Sequence, residues 1–223
     1  MPYYTEKLSA LRLKRVYDIA TPRVRQYLDA ELDYALSKIK SGDTVLDLGC
    51  GYGRIIPQLV EKAGTVIGID SSMESLRLGR EILADSHNHH LLCIDAASLG
   101  FRDNVFDVVI CIQNGISAFH VNQTLLIRES VRVVKPGGTV LFSSYSDKFW
   151  ADRLEWFELQ AKEGLLGEID YEKTGDGIIV CRDGFAATTV SEDRFLDLTA
   201  GLNADVNIVE IDNSSLFCEI NPR

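Results

Sequence analysis

Three aspartates that close short apolar runs, and three glycines alternating in one loop, are the residues of this chain whose types and spacing could do chemistry. The loop lies in Val45-Leu46-Asp47-Leu48-Gly49-Cys50-Gly51-Tyr52-Gly53-Arg54; Val66-Ile67-Gly68-Ile69-Asp70 and Leu91-Leu92-Cys93-Ile94-Asp95-Ala96 carry the other two acids. Alternating glycines let the backbone turn sharply, expose N–H groups and approach a ligand without Cβ interference. The dinucleotide fingerprint G-x-G-x-x-G needs glycine at its sixth position, which is Arg54 here, and the third glycine falls one residue early. Asp47, two residues before the loop, would repel a pyrophosphate and attract an ammonium group. Asp70, 23 residues after Asp47, can accept hydrogen bonds from both hydroxyls of a ribose, a role that nicotinamide enzymes share.

These residues need a scaffold that brings strand ends together. Apolar, β-branched runs at Thr44 to Leu48, Thr65 to Asp70, Leu91 to Asp95, Phe106 to Ile112 and Thr139 to Ser144 read as strands covered on both faces, as in a parallel sheet. Helices are expected between them, over Gly53 to Lys62, Ser71 to Leu83 with Ser71 or Ser72 as N-cap, and Asn122 to Lys135 before the stop signal Pro136-Gly137-Gly138. Earlier, Thr21-Pro22 opens a helix whose Val24, Leu28, Leu32, Ala35, Leu36 and Ile39 share one face, to be packed on the sheet edge. Asp147 to Gly167 reads as an aromatic-rich helix, Ile178 to Val190 as two strands around Arg182-Asp183-Gly184, Ser191 to Leu202 as a helix, and Val206 to Ile220 as a hairpin. The fold class is α/β: a doubly wound, mostly parallel seven-stranded sheet flanked by helices, with an antiparallel C-terminal strand and a small α+β insertion after the fifth strand. One domain is expected, divided into a helical segment 1–42, a cofactor-binding core 43–146, an insertion and acceptor cap 147–190, and a final helix and hairpin 191–223.

The run Asp47-Leu48-Gly49-Cys50-Gly51-Tyr52-Gly53 resembles the first motif of the class I S-adenosylmethionine-dependent methyltransferases. Phe106-Asp107-Val108-Val109-Ile110-Cys111-Ile112-Gln113 resembles that family's fourth strand, and Val133 to Leu141 its turn into the fifth. The resemblance covers residues 44 to 145 closely and the C-terminal hairpin, as antiparallel sixth and seventh strands, more loosely. It implies S-adenosylmethionine as cofactor, with Asp47, Gly49, Gly51 and Gly53 around the methionine part, Asp70 at the ribose, Asp95 at the adenine amino group, and the backbone of Ile112 and Gln113 facing the methionine part again; Cys50, Ser71 and Ala96 are counted with the same site, and Met73 reads equally as helix surface or as a thioether against the adenine. It also implies an N-terminal segment folded over the cofactor.

Composition narrows the partners. A net charge of −10 argues against a protein that holds a nucleic-acid backbone, and leaves a small-molecule methyl acceptor as the expected substrate. No apolar stretch approaches membrane-spanning length and the first residues lack a signal-peptide core, so a cytoplasmic protein without a membrane partner is expected. Five cysteines without a C-x-x-C pair read as buried thiols, and His87, His89 and His90 as a solvated connection, so no metal site is expected. Methyl transfer needs no enzyme nucleophile; His120 is the candidate base, and Tyr3, Tyr4, Tyr17, Tyr145 and Trp150 are candidates for the acceptor pocket. Two other classes fit parts of the pattern: a catalytically idle cofactor- or partner-binding subunit, and a nicotinamide-dependent oxidoreductase, which the glycine spacing and Asp47 disfavour.

Overall fold

The computed structural model describes residues 3–223; Met1 and Pro2 of the N-terminal segment lie outside it. Three helices come first: α1 (Tyr3–Glu6), α2 (Ala10–Asp18) and α3 (Pro22–Ser37). The Thr21 hydroxyl accepts the Val24 N–H and Pro22 occupies the first turn, so α3 starts where the sequence says it should. The core then alternates β1 (Thr44–Leu48), α4 (Ile56–Lys62), β2 (Thr65–Asp70), α5 (Met73–Ile82), β3 (His89–Cys93), β4 (Phe106–Cys111), a short α6 (Gly115–Ala118), α7 (Gln123–Val133) and β5 (Val134–Tyr145). After it come α8 (Trp150–Lys162), a two-residue hairpin of β6 (Ile179–Val180) and β7 (Ala186–Ala187), α9 (Glu192–Thr199), β8 (Ala204–Ile211) and β9 (Ser215–Pro222).

The seven long strands form one sheet in the order β3-β2-β1-β4-β5-β9-β8. The expected fold class holds, with one refinement. β9 runs antiparallel to β5 and β8 antiparallel to β9, so of the two final strands only β9 opposes the rest. His89 and His90 open β3 instead of lying in a connection, and no metal-binding group of His, Cys, Asp or Glu exists among the described residues. β5 begins five residues earlier than its apolar run, because Pro136 excludes its neighbour from the helix and the chain extends at once. That early stretch pairs irregularly with β4, and Asp107 fills the gap by accepting the Thr44 N–H at 2.9 Å and the Lys135 ammonium at 2.7 Å.

Each sheet face carries its own apolar core, one with Leu46, Phe106, Val109 and Phe142, the other with Val45, Ile56, Leu59 and Leu141. α3 packs inside the edge and not on it: the Tyr34 ring lies tilted against Phe217 of β9 with centroids 4.6 Å apart, and Tyr34 and Lys38 both reach Glu219. A third core sits apart, where α1, α2 and the start of α3 meet Tyr145, α8 and the β6–β7 hairpin. The N-terminal segment and the insertion, remote in sequence, thus form one lobe over the end of the sheet that carries the glycine loop.

Candidate functional site

The glycine loop leaves β1 after Leu48. Gly49 (φ +77°), Gly51 (φ +56°) and Gly53 (φ +76°) all hold left-handed backbone, which side chains with a Cβ disfavour. The N–H groups expected to face a ligand are instead used to stitch the loop down. Gly49 and Cys50 both donate to the Ile69 carbonyl (2.8 and 2.9 Å), Gly51 donates to Asp70 Oδ2 (2.9 Å), and Gly53 to the Cys50 carbonyl (2.8 Å). α4 starts only at Ile56, three residues past the last glycine. Such a loop lacks the open N–H cradle that a pyrophosphate requires. Gly53 has a packing role, since a Cβ there would come within 2.7 Å of Leu83 at the end of α5.

Beside the loop are two opposite charges, each with a buried atom that makes no hydrogen bond. Asp47 is 3% exposed and its Oδ2 accepts no hydrogen bond; Arg54 Nη2 is buried and donates none. Both line a recess of about 40 Å³ together with Gly49, Gly51 and Gln113. Burial and the neighbouring Asp70 charge push the Asp47 carboxyl up to about 7, against the pull of Arg54. The Arg54 guanidinium lies 4.6 Å above the Tyr17 ring, and the Tyr17 hydroxyl donates to Gln113 Oε1 at 3.0 Å, so α2 roofs the recess. Arg54 was visible in the sequence only as the residue that spoils a dinucleotide fingerprint.

The recess adjoins a larger cavity of about 230 Å³, with which it shares Gly49, Ile112 and Gln113. At one end stand Asp70, Ser71, Asp95 and Ala96. Asp70 accepts the Ser72 N–H on Oδ1 at 2.7 Å, which with Gly51 on Oδ2 fixes both oxygens; its carboxyl is raised by burial although these N–H groups oppose the shift. Asp95 accepts the Ala97 N–H at 2.9 Å. At the other end the wall is aromatic: Tyr4, Tyr17, Tyr145, Trp156 and Phe157, with the Gln160 amide among them.

Several expected residues lie elsewhere. Met73 is 41% exposed at the start of α5, and the helix cap Ser72 puts Ser75 at the cavity wall in its place. Tyr3 turns outward, donating to Asp183 Oδ2 at 2.6 Å and packing edge-on against Phe185. Trp150 is half-buried away from the cavity, over Arg153. His120 is exposed in left-handed backbone (φ +53°) just after α6, while its neighbours Phe119 and Val121 face inward. The residues that sequence reasoning missed, Trp156, Phe157 and Gln160, share with Arg153 the buried face of α8, and the i, i+3, i+4, i+7 spacing was the available signal. Phe119 was missed too; its ring lies 2.4 Å from where a Gly49 Cβ would be, so only glycine fits there.

A family profile described as a methyltransferase domain matches residues 45–138. The chain is 32% identical over 174 residues to a malonyl-[acyl-carrier protein] O-methyltransferase of Marinomonas sp., covering 71% of this chain and 63% of the relative. It is equally identical, over the same length, to an arsenite methyltransferase of Aquipseudomonas alcaligenes, covering 48% of that protein. The chain thus spans about half to two thirds of the length of these curated relatives. The PH0226 protein of Pyrococcus horikoshii OT3 shares the fold across 100% of this chain and 96% of its own, at 23% identity and a TM-score of 0.66. The chain has the fold of the class I S-adenosylmethionine-dependent methyltransferases. The donor set fits S-adenosylmethionine: an amino-acid end needs an anion for its ammonium and a cation for its carboxylate, for which Asp47 Oδ2 and Arg54 Nη2 are free of hydrogen bonds, and a nucleoside end needs the acceptors at Asp70 and Asp95. No described helix is long and apolar enough to cross a membrane.

Proposed function

We propose that this protein transfers a methyl group from S-adenosylmethionine to a small, largely apolar acceptor. The observation that carries the reading is a recess lined by Asp47 and Arg54, whose buried Oδ2 and Nη2 make no hydrogen bond, next to a larger cavity with which it shares Gly49, Ile112 and Gln113. When bound, the cofactor supplies a methyl carbon already activated by a sulfonium, so the protein's work is to orient and to exclude water. Asp47 and Arg54 hold the two charges of the amino-acid end, with Gly49, Cys50, Gly51 and the Ile112–Gln113 backbone as walls. Asp70 and Ser71 take the ribose, Asp95 and Ala96 the adenine. Tyr4, Tyr17, Tyr145, Trp156 and Phe157 form the acceptor chamber, placed by the N-terminal segment 1–42 and the insertion 147–190 acting together as a cap on the core 43–146. The aromatic walls suit an apolar acceptor body, and the net charge of −10 disfavours a polyanion such as nucleic acid.

Calorimetric titration with S-adenosylhomocysteine, with NAD as the parallel ligand, tests the cofactor assignment. Saturable one-to-one binding of the first alone is expected. Binding of NAD alone, or of neither, overturns the proposal.

A further inference from the structure

Gln160 is 2% exposed, on the buried face of α8 that also carries Arg153, Trp156 and Phe157. It lines the aromatic end of the cavity, and its side-chain amide makes no hydrogen bond among the described residues. Its backbone carbonyl accepts the Leu165 N–H at 2.9 Å, so the end of α8 is closed without help from the side chain. Elsewhere around the cavity, buried polar groups hold elements to one another. Trp156 Nε1 donates to the Val16 carbonyl at 3.0 Å, and the Tyr17 hydroxyl to Gln113 Oε1 at 3.0 Å. Glu31, fully buried on α3, accepts the Gln113 N–H on Oε2 at 2.7 Å and the Ser215 hydroxyl on Oε1. Arg153 gives its Nη1 and Nη2 to the Gly177 and Ala187 carbonyls, with its guanidinium against the Tyr145 and Phe157 rings at 4.5 and 5.6 Å. Gln160 ties nothing together. An amide carried into an apolar wall without partners costs free energy, and a methionine or leucine would fill the same place without that cost.

The surroundings narrow what the amide meets. Asp70 and Asp95 are the charged residues that line the cavity, and both stand at its strand end. An ammonium or a carboxylate brought to the aromatic end would lose its water without gaining a counter-charge. A neutral hydroxyl suits the amide, because it accepts from the amide N–H or donates to the amide oxygen, whichever way the amide turns. The rings of Tyr4, Tyr145, Trp156 and Phe157 suit a flat hydrocarbon body behind that hydroxyl. We infer that Gln160 selects the acceptor by binding a neutral hydroxyl carried on a flat apolar ring system, the chemistry of a phenol. The inference deepens the methyl-transfer reading above, from which it takes the aromatic end as the acceptor's place. Gln160 acts on which molecule is held there and takes no part in the bond exchange at the methyl carbon.

The test compares 2-naphthol with 2-methylnaphthalene, in which a methyl group replaces the hydroxyl, by fluorescence titration of the wild type and of Gln160→Met. Methionine keeps the length of the side chain and removes the amide. The wild type should bind 2-naphthol saturably, and the ratio of the two affinities should shift about tenfold toward 2-methylnaphthalene in the variant. Gln160→Leu, a second apolar replacement, should give the same shift. The empty variants should melt at or above the wild-type temperature, since they no longer bury an unpaired amide. An unchanged affinity ratio in the folded variants, or no saturable binding of 2-naphthol to the wild type, overturns the inference; a lower melting temperature with an unchanged ratio would assign the amide to the fold. Each titration is run without cofactor and again with S-adenosylhomocysteine, whose own binding is read by calorimetry on the same samples. Failure of S-adenosylhomocysteine to bind, with the affinity ratio still dependent on Gln160, would remove the cofactor assignment and leave the hydroxyl site standing.

Discussion

The two ends of the cavity are built on opposite principles. The end at Asp47, Asp70 and Asp95 is made by residues close to strand termini, with backbone N–H groups tying the loop to β2 and Asp70, so its geometry follows from the sheet. The aromatic end is made, beside Tyr145 of β5, by helices from residues 3–37 and 150–162 that meet through the third core and the Trp156 Nε1 to Val16 carbonyl hydrogen bond at 3.0 Å. The contrast teaches where variation can enter: the strand-end half tolerates little change without losing its backbone conformation, whereas the lobe half holds its shape by side-chain packing. The family profile stops at residue 138, before the insertion begins, while the two relatives, named for acceptors as different as a carrier-bound malonyl group and arsenite, align over 71% of this chain.

The sharpest way to break this comparison is Gly49→Val. Left-handed backbone and the Phe119 ring both reject a branched side chain, and S-adenosylhomocysteine affinity should fall at least about a hundredfold in calorimetry. Retained affinity in a folded variant would mean that the loop does not shape the site. Next in size is Asp47→Asn, which removes the anion and should weaken binding about 10- to 100-fold. Because Asp47 sits near 7 in the free protein and an ammonium ligand favours its ionised form, wild-type affinity should rise with pH up to about 7 and then level off. The variant should lose that slope. Glu31 and Asp47 also link stability to pH. Both carboxyls are raised above their unfolded range, so their protonated forms stabilise the fold; that contribution is complete in acid and lost as pH rises through about 7. The empty wild type should therefore melt lower at about pH 8 than at about pH 5, with a smaller difference in the Asp47→Asn, Glu31→Gln double variant.

The same division explains what the sequence disclosed. β1, β2 and β4 were legible because buried parallel strands announce themselves as apolar runs, and the aspartates because β1 and β2 end at glycine or acid. The use of the loop's N–H groups was not legible, since a string of glycines shows freedom and does not show which carbonyl takes each donor. The lobe was the least legible region. Tyr3, Tyr4 and Trp150 are aromatic residues of one kind on paper, and only docking of the N-terminal helices onto α8 decides that Tyr4 faces the cavity while the other two do not. Glu31 was hidden for a different reason. It falls at a position where α3 is otherwise apolar, and its partners, Gln113 and Ser215, lie 82 and 184 residues away.

Smaller changes sharpen the comparison from the lobe side. Tyr17→Phe keeps the ring under Arg54 but removes the hydrogen bond to Gln113, which should weaken S-adenosylhomocysteine about three- to tenfold, mostly by faster release in stopped-flow measurements. No change would show that α2 roofs the recess by packing alone.

Arg153→Met should have the smallest effect on cofactor binding and the most local effect on structure. Arg153 is 1% exposed, without a carboxylate partner; it donates to the Gly177 carbonyl at 2.9 Å and the Ala187 carbonyl at 3.1 Å, while its Nε has no partner. Methionine leaves two carbonyls of the hairpin segment unsatisfied, a cost of about 1–3 kcal/mol each that is offset in part by no longer burying an unpaired cation. The β6–β7 hairpin should loosen while the strand-end half is untouched, so limited proteolysis between residues 170 and 190 should accelerate with the S-adenosylhomocysteine affinity within about twofold of wild type. If affinity fell in step with proteolysis, the lobe would be part of the cofactor half's framework, and the two ends of the cavity would have to be treated as one cooperative unit.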